Sequence, residues 1–225
     1  MGVCIDAKEK NMLSIVVPVD AKLHDFSNLL TWLSEIDKFE VLDKVIIVID
    51  KGTHKSTLNE TTFNLLSRSQ KIRFIEGNFN SPGVSRNIGK SLVSSNYVAF
   101  WDSDDSPNLN VIEEVMIMCS KKHFDLAITK FSRVDKLSGK EKEFGNSTRE
   151  FLMNPGIWRM IFKMDFIRNL DFGTSKMGED QVFLARCLAS NPEIIRVNLN
   201  SYKYMTGNEY QLTKSKEAIL TLSIS

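Results

Sequence analysis

Cysteine and histidine are scarce in this 225-residue chain. The 3 cysteines, Cys4, Cys119 and Cys187, lie far apart, and no Cys-x-x-Cys pair exists. The 3 histidines, His24, His54 and His123, are equally scattered. Such spacing argues against a zinc centre or a disulfide framework and fits inert thiols in a reducing cytoplasm. Long apolar runs are missing too; none approaches the ~18 residues that a membrane-spanning helix requires. The opening "MGVCIDAKEKNM" has no apolar core of a signal peptide, and Asp6 stands where a myristoylation signal needs Ser or Thr. The expectation is a cytoplasmic protein without a transmembrane segment, with peripheral membrane attachment left open. Excess charge of one sign is absent: 29 basic against 28 acidic residues leave +1. Nucleic acid is therefore not the expected partner. Finally, no G-x-G-x-x-G follows the first β-rich run, which argues against a nicotinamide enzyme.

What is present is ordinary globular material, 42% hydrophobic and 25% charged. This length can bury a substantial core as one domain. Strand-like and helix-like segments alternate. "LSIVVPV" precedes Phe26, Leu29, Leu30, Leu33 and Ile36 at helical spacing, and "KVIIVI" precedes a second amphipathic stretch around Leu58 to Leu66. "IRFIE", the helix-like "SPGVSRNIGKSLVSS", the strand-like "YVAFW", a helix over Val111 to Cys119 and the strand-like "FDLAITKF" follow. This order predicts an α/β fold, a mainly parallel sheet flanked by helices. Beyond Lys130, "RVDKLSGKEKEFGNSTRE" reads as an exposed hairpin or loop. A helix across "GEDQVFLARCLAS" and a short strand in "IIRVNL" complete the chain. One domain over 1–225 is expected, with a ligand-binding half (about 13–130) and a smaller second half (about 131–225).

Three segments carry chemistry. "YVAFW" reads as a strand buried on both faces, and it runs straight into Asp102, Asp104 and Asp105. Asp and Ser also favour plain turns. However, three acids at the end of a buried strand lie where open α/β sheets bind ligands, and they suit a hard cation shared with substrate phosphates. "NSPGVSRNIG" starts a helix at Pro82 and sets Arg86 and Asn87 just before that strand. Arginine offers a fork of donors for phosphate or carboxylate. "MGEDQVFLARCLA" puts Glu179 and Asp180 at a helix start, where acids are common because of the helix dipole.

Taken in order, "LSIVVPV", "VIIVIDKGT", "GVSRNIG", "YVAFWDSDD" and "GEDQVFLAR" resemble the landmarks of the family 2 glycosyltransferases of the GT-A fold. The resemblance implies a Rossmann-like fold with an acceptor-side annex and an inverting transfer of sugar to an acceptor hydroxyl. The donor would be a nucleotide-diphosphate sugar, weakly favouring UDP, and the cofactor a divalent metal, Mn or Mg. Cell-surface polysaccharide or glycan synthesis, with a saccharide or lipid-linked acceptor, is the implied setting. Asp104 and Asp102 would hold the metal, Asp102, Ser103 and Asp104 would form the donor-binding turn, and Asp180 would be the catalytic base. Pro18, Asp50, Arg86 and Asn87 would frame the donor, while Trp158 and Glu179 would stand on the acceptor side. The chain departs from the family at Asp20-Ala21 and at Lys51, where many relatives have a second acid. The stretch after Tyr202, "YKYMTGNEYQLT", is a candidate lid. Two alternatives stand beside this reading: a GT-A-like binding module without turnover, and a phosphatase of the haloacid dehalogenase type. The phosphatase's Asp-x-Asp normally follows an early strand, whereas here the motif follows the fourth.

Overall fold

The computed structural model describes residues 12–21, 26–51 and 68–207. The helix expected around Leu58 to Leu66, together with Cys4, His24 and His54, lies outside them. Four strands build the first half of the sheet: β1 (Leu13–Asp20), β2 (Leu42–Asp50), β3 (Ile72–Gly77) and β4 (Tyr97–Phe100). They pair in parallel in the order β3-β2-β1-β4. Successive residues of these strands bury on opposite faces. Leu13, Ile15, Val17 and Val19 join one core with Trp32 and Trp101, while Val16, Val98 and Phe100 join the other with Phe162 and Phe183. A sheet covered on both sides explains the unbroken apolar runs in the sequence.

The chain winds outward from β1 through β2 to β3, then returns to place β4 on the other side of β1. A crevice opens at such a reversal, outside the carboxyl ends of the strands. The β1–β4 register ends at Val16 opposite Phe100, and the Trp101 N–H donates to the Val16 carbonyl at 3.0 Å. Residue 18 faces the same side two positions on, beyond β4. Proline can stand there because no ladder bond is lost.

The helices are placed by local chemistry. In α1 (Ser27–Leu33), Leu29, Trp32 and Leu33 are buried, and a short 3₁₀ turn at Ile36–Lys38 carries the remaining apolar residue of that periodic run. Helix α2 (Pro82–Ser91) starts as the sequence reads: Pro82 opens it and the Ser81 hydroxyl caps the Gly83 N–H. Helix α3 (Leu109–Cys119) follows the two-residue β5 (Ser106–Pro107).

The second half is organised around β6 (Leu126–Asp135). One edge of β6 carries β8 (Met160–Lys163) at its start and β7 (Glu141–Phe144) at its end, both antiparallel. Its other edge carries β9 (Ile194–Thr206) in parallel. β8 and β4 join the halves, again antiparallel. The sheet is thus mixed, with the longer pairings parallel. The polar stretch after Lys130 forms the β6–β7 hairpin, followed by α4 (Thr148–Met153) with a Ser147–Glu150 capping box. The one-turn α5 (Met164–Ile167) and α6 (Glu179–Ala189) precede β9.

Two expectations need correction. The last strand is not confined to "IIRVNL" but runs 13 residues to Thr206. Residues 202–206, read as the start of a lid, are therefore fixed in the sheet against β5 and β6. The rest of that stretch, from Asn208, lies outside the described residues.

Candidate active site

The carboxyl ends of the parallel strands gather the acids. Asp20 stands opposite Asp50 in register, and Asp102 follows β4. The Asp50 Oδ1 accepts the Phe79 N–H at 2.9 Å, so this acid also anchors the segment after β3. Lys51 pairs with Glu76 at the end of β3, so the lysine where many relatives have an acid is met by an acid from the next strand.

The acidic turn separates its three carboxylates. Asp105 is fully buried; its Oδ1 accepts the Met205 N–H from β9 at 2.7 Å, and its Oδ2 has no hydrogen-bond partner among the described residues. Burial, and then the nearby Asp102 and Asp104, push its pKa well above the usual carboxylate range. It braces the turn from beneath. Ser103 is buried beside it, and Asp104 is partly exposed, its carbonyl accepting from the Asn28 amide at 2.8 Å. Asp102 gives one oxygen to Arg86 at 2.8 Å.

Arg86 is the central cation, and it is 6% exposed. Its second terminal nitrogen reaches Glu179 at 2.5 Å, so the guanidinium bridges the acidic turn and α6. Burial disfavours the charge, but Asp102, Glu179 and Asp180 outweigh it and raise the pKa above that of a free arginine. Its fork is thus occupied by carboxylates. Asn87 is similarly engaged: its amide donates to the Phe172 carbonyl at 3.0 Å and accepts the Phe172 N–H at 2.9 Å. Both residues hold the site's frame from α2.

The two acids of α6 differ. Gly178, with φ 78°, turns the chain in a conformation that favours glycine and starts the helix. Glu179 is buried against Arg86, whereas Asp180 opens on a pocket of about 250 Å³. Burial raises the Asp180 pKa, against the pull of Arg86 and with a further push from Asp102. Arg133, Asn154, Trp158, Gln181 and Tyr204 line the same pocket. Trp158 stacks on Tyr202 (4.9 Å, 17°) and on Tyr204 (5.2 Å, 3°). Gly156 must be glycine there, because a Cβ would lie 2.4 Å from the indole. The Tyr202 hydroxyl accepts the Asp102 N–H at 3.0 Å, which ties the aromatic stack to the acidic turn. A wider depression of about 520 Å³, with Asp37, Asp43 and Lys44 in its walls, holds none of the motif residues.

The fold thus brings together Asp102, Ser103, Asp104, Arg86, Glu179, Asp180 and Trp158, with Pro18 and Asp50 at the neighbouring strand ends. Sequence reasoning missed Tyr202, Tyr204 and Arg133. Tyr202 and Tyr204, two apart, share one face of β9, a signal that reading the strand as ending early concealed. Arg133 sits in a polar run with no local mark.

An α/β sheet whose strand ends carry an acidic turn facing a helix-borne acid is an arrangement of the GT-A fold. The sequence profile of glycosyl transferase family 2 matches residues 14–177, and the chain belongs to that family. Among characterised proteins it is 23% identical over 208 residues to poly(ribitol-phosphate) beta-N-acetylglucosaminyltransferase TarS of Staphylococcus aureus, covering 87% of this chain and 36% of that one. It is 27% identical over 184 residues to the corresponding TarP, covering 76% and 53%. The chain therefore spans about a third of TarS and half of TarP. The crystal structure of S. aureus TarS 1–349 in complex with UDP-GlcNAc superposes with a TM-score of 0.72 at 17% identity, covering 91% of this chain and 61% of that one. The UDP complex of the same fragment gives 0.69 at 20% identity, covering 87% and 61%. At such identities the likeness establishes the fold. No helix among the described residues is long and apolar enough to cross a membrane.

Proposed function

We propose that this chain transfers a sugar, with inversion, from a UDP-sugar to an acceptor hydroxyl in cell-surface polymer synthesis, using Asp180 as general base. The observation that carries it is the division of labour in α6. Burial raises the pKa of both acids, but Glu179 is tied to Arg86 while Asp180 lines the pocket. A base must be ionised yet ready to take a proton, and a raised carboxylate pKa brings both conditions closer together at neutral pH. UDP is the favoured donor nucleotide because the similar TarS structures are complexes with UDP and UDP-GlcNAc.

The donor set fits a hard divalent cation of the Mg²⁺ or Mn²⁺ kind. Among the described residues no cluster of three or more His, Cys, Asp or Glu side chains is arranged to hold a metal ion alone. Mg²⁺ commonly takes one or two carboxylates and completes its shell with substrate phosphates and water. Asp105 is turned inward, which leaves Asp104, with Asp102 beside it, as the carboxylates to hold the cation. When bound, the cation would neutralise charge growing on the departing diphosphate. Asp180 accepts the proton of the attacking hydroxyl, Arg86 keeps Asp102 and Glu179 in place, and the Trp158 wall excludes water from the acceptor side.

Calorimetric titration with UDP and UDP-GlcNAc, with Mn²⁺ and then with chelator, tests the donor site; Asp104→Ala should remove the metal-dependent part. Equal affinity with and without metal would remove the cation from the scheme. Donor binding without any metal-dependent hydrolysis or transfer would favour a binding module.

A further inference from the structure

Two tyrosines on one face of β9 use their hydroxyls differently. Tyr202 is buried, and its hydroxyl accepts the Asp102 N–H at 3.0 Å. Tyr204 is half-buried, and its hydroxyl has no hydrogen-bond partner among the described residues. Its ring is nonetheless fixed, lying nearly parallel to that of Trp158 (5.2 Å, 3°). A phenol held by its ring and open at its oxygen is preorganised as a hydrogen-bond donor.

The strand register sets Tyr204 beside the acidic turn. β5 pairs with β9 through Ser106 opposite Lys203 and Pro107 opposite Tyr202. One residue further back along the chain, the same register brings Asp105 opposite Tyr204. The ladder stops there, and the Asp105 carboxylate takes the Met205 N–H at 2.7 Å instead. Tyr204 is therefore flanked by two ties to the turn, one at Tyr202 and one at Met205. It also lines the pocket on which Asp180 opens, where no other hydroxyl stands among the described residues. Burial, and then Asp105, Asp102 and Asp104, push its pKa up to about 12, so it keeps its proton at neutral pH. A neutral donor thus belongs both to the surroundings of the acidic turn and to the pocket of the base.

We propose that Tyr204 is a further catalytic residue, whose hydroxyl donates a hydrogen bond to the terminal phosphate of the departing nucleoside diphosphate. This rests on the sugar-transfer reading above and adds a residue to it. As the bond from the anomeric carbon to the phosphate oxygen breaks, its electron pair stays on that oxygen. The acceptor oxygen bonds to the anomeric carbon from the other side, and its proton goes to Asp180. Negative charge therefore gathers on the phosphate, on the side of the sugar away from the base. Hydrogen bonds to ionised acceptors are stronger than those to neutral ones, so the Tyr204 contact tightens as that charge grows. An interaction stronger in the transition state than in the bound donor raises kcat and leaves KM nearly unchanged.

The test compares the wild-type full chain with Tyr204→Phe, with Mn²⁺ present, by titration of UMP, UDP and UDP-GlcNAc and by hydrolysis of UDP-GlcNAc. Phenylalanine keeps the ring stack and the deleted hydroxyl has no protein partner, so the melting temperature should stay within about 2 °C. UDP carries the free terminal phosphate of the product, and its affinity should fall about tenfold, as for a lost hydrogen bond to a charged group. UDP-GlcNAc affinity should fall less than about threefold, in keeping with the weaker contact in the ground state, and UMP affinity should not change. The kcat for hydrolysis should fall at least about tenfold at nearly constant KM. Replacing Tyr204 by 3-fluorotyrosine keeps ring and hydroxyl and strengthens the donor, so hydrolysis should hold or rise. A loss for UMP as large as for UDP would mean that the whole nucleotide site is disturbed, and a loss confined to UDP-GlcNAc would put the hydroxyl on the sugar. Either result overturns the proposal, as do unchanged affinities and rates, or a fluorotyrosine protein as slow as the phenylalanine variant. The two readings fail separately. Wild-type protein that neither binds nor hydrolyses UDP-GlcNAc refutes the transferase itself, whereas donor chemistry fully retained by Tyr204→Phe refutes this role alone.

Discussion

The two ends of the pocket are built on opposite electrostatic plans. At the carboxyl ends of β1, β2 and β4 acids predominate, Lys51 is paired with Glu76, and Arg86 is buried between two acids. Across the pocket, on the β6–β7 hairpin, the rim charges are cations on an aromatic bed without carboxylate partners among the described residues. Under the proposed reaction the acidic end would need a cation to bring a diphosphate close, whereas a basic rim would not. Such polarity keeps an anion away from the acidic end unless a cation comes with it. Between the two ends stand Asp180 and the Trp158–Tyr202–Tyr204 stack, the latter bonded through Tyr202 to the acidic turn.

The sharpest way to break this contrast is at its centre. Asp180→Asn keeps size and most hydrogen bonding but removes the proton acceptor, so transfer should fall about 10²–10⁴-fold. UDP affinity should change little. Because burial raises the Asp180 pKa, the folded protein holds the proton more tightly than the unfolded chain does. Asp180 ionisation therefore costs stability as pH rises, and the Asn variant should melt no lower than wild type at neutral pH. A wild-type rate in the variant would move the base to Glu179.

Removing the bridging cation should cost the fold itself. Arg86→Met leaves Asp102 and Glu179 facing each other in a buried site, a change of about 3–5 kcal/mol when one partner of a buried pair is lost. Arg86→Lys should not restore it, because a lysine cannot span both acids with a planar fork. Denaturant unfolding measures both. A loss under 1 kcal/mol would mean that the bridge is not the joint between turn and helix.

A smaller effect is expected in the pH dependence. The acid limb of the transfer rate should lie above the ordinary aspartate value of about 3.9, with activity lost as pH falls through the raised Asp180 pKa. An acid limb at or below that value would show that burial does not control the base. Smallest is Tyr202→Phe, which keeps the ring stack and deletes the bond to the Asp102 N–H. It should cost about 0.5–1.5 kcal/mol and loosen donor affinity before acceptor affinity. Reversal of that order would uncouple Tyr202 from the turn.

Much of the first half, up to about residue 130, was legible in the sequence. Runs such as "VIIVI" and "YVAFW" announced strands covered on both faces, and Ser81-Pro82 announced a helix start. The acids following an apolar run marked the ligand end of the sheet. The second half was less legible. β9 carries alternating polar residues that resemble the end of a strand, yet it continues because β6 and β5 supply partners on its two edges. Lys51 looked like a lost acid until Glu76 was found beside it. Arg86, whose fork suits phosphate or carboxylate, is engaged by two carboxylates that no local pattern pairs with it.

By itself the sequence determined the order of strands and helices, the double burial of the central sheet, the family motifs and the clustering of acids after β4. Those features depend on neighbours within a few residues, where apolar periodicity and turn chemistry act. Tertiary structure alone decided which acid of each pair is restrained and which faces the pocket. Arg86 chooses Glu179 across 93 positions of chain. Met205 turns Asp105 inward, and Tyr202 holds the Asp102 amide, each across 100 positions. No local pattern encodes such contacts. They arise because packing the sheet fixes where distant backbones and charges meet, and burial then makes each unmatched charge too costly to leave unpaired.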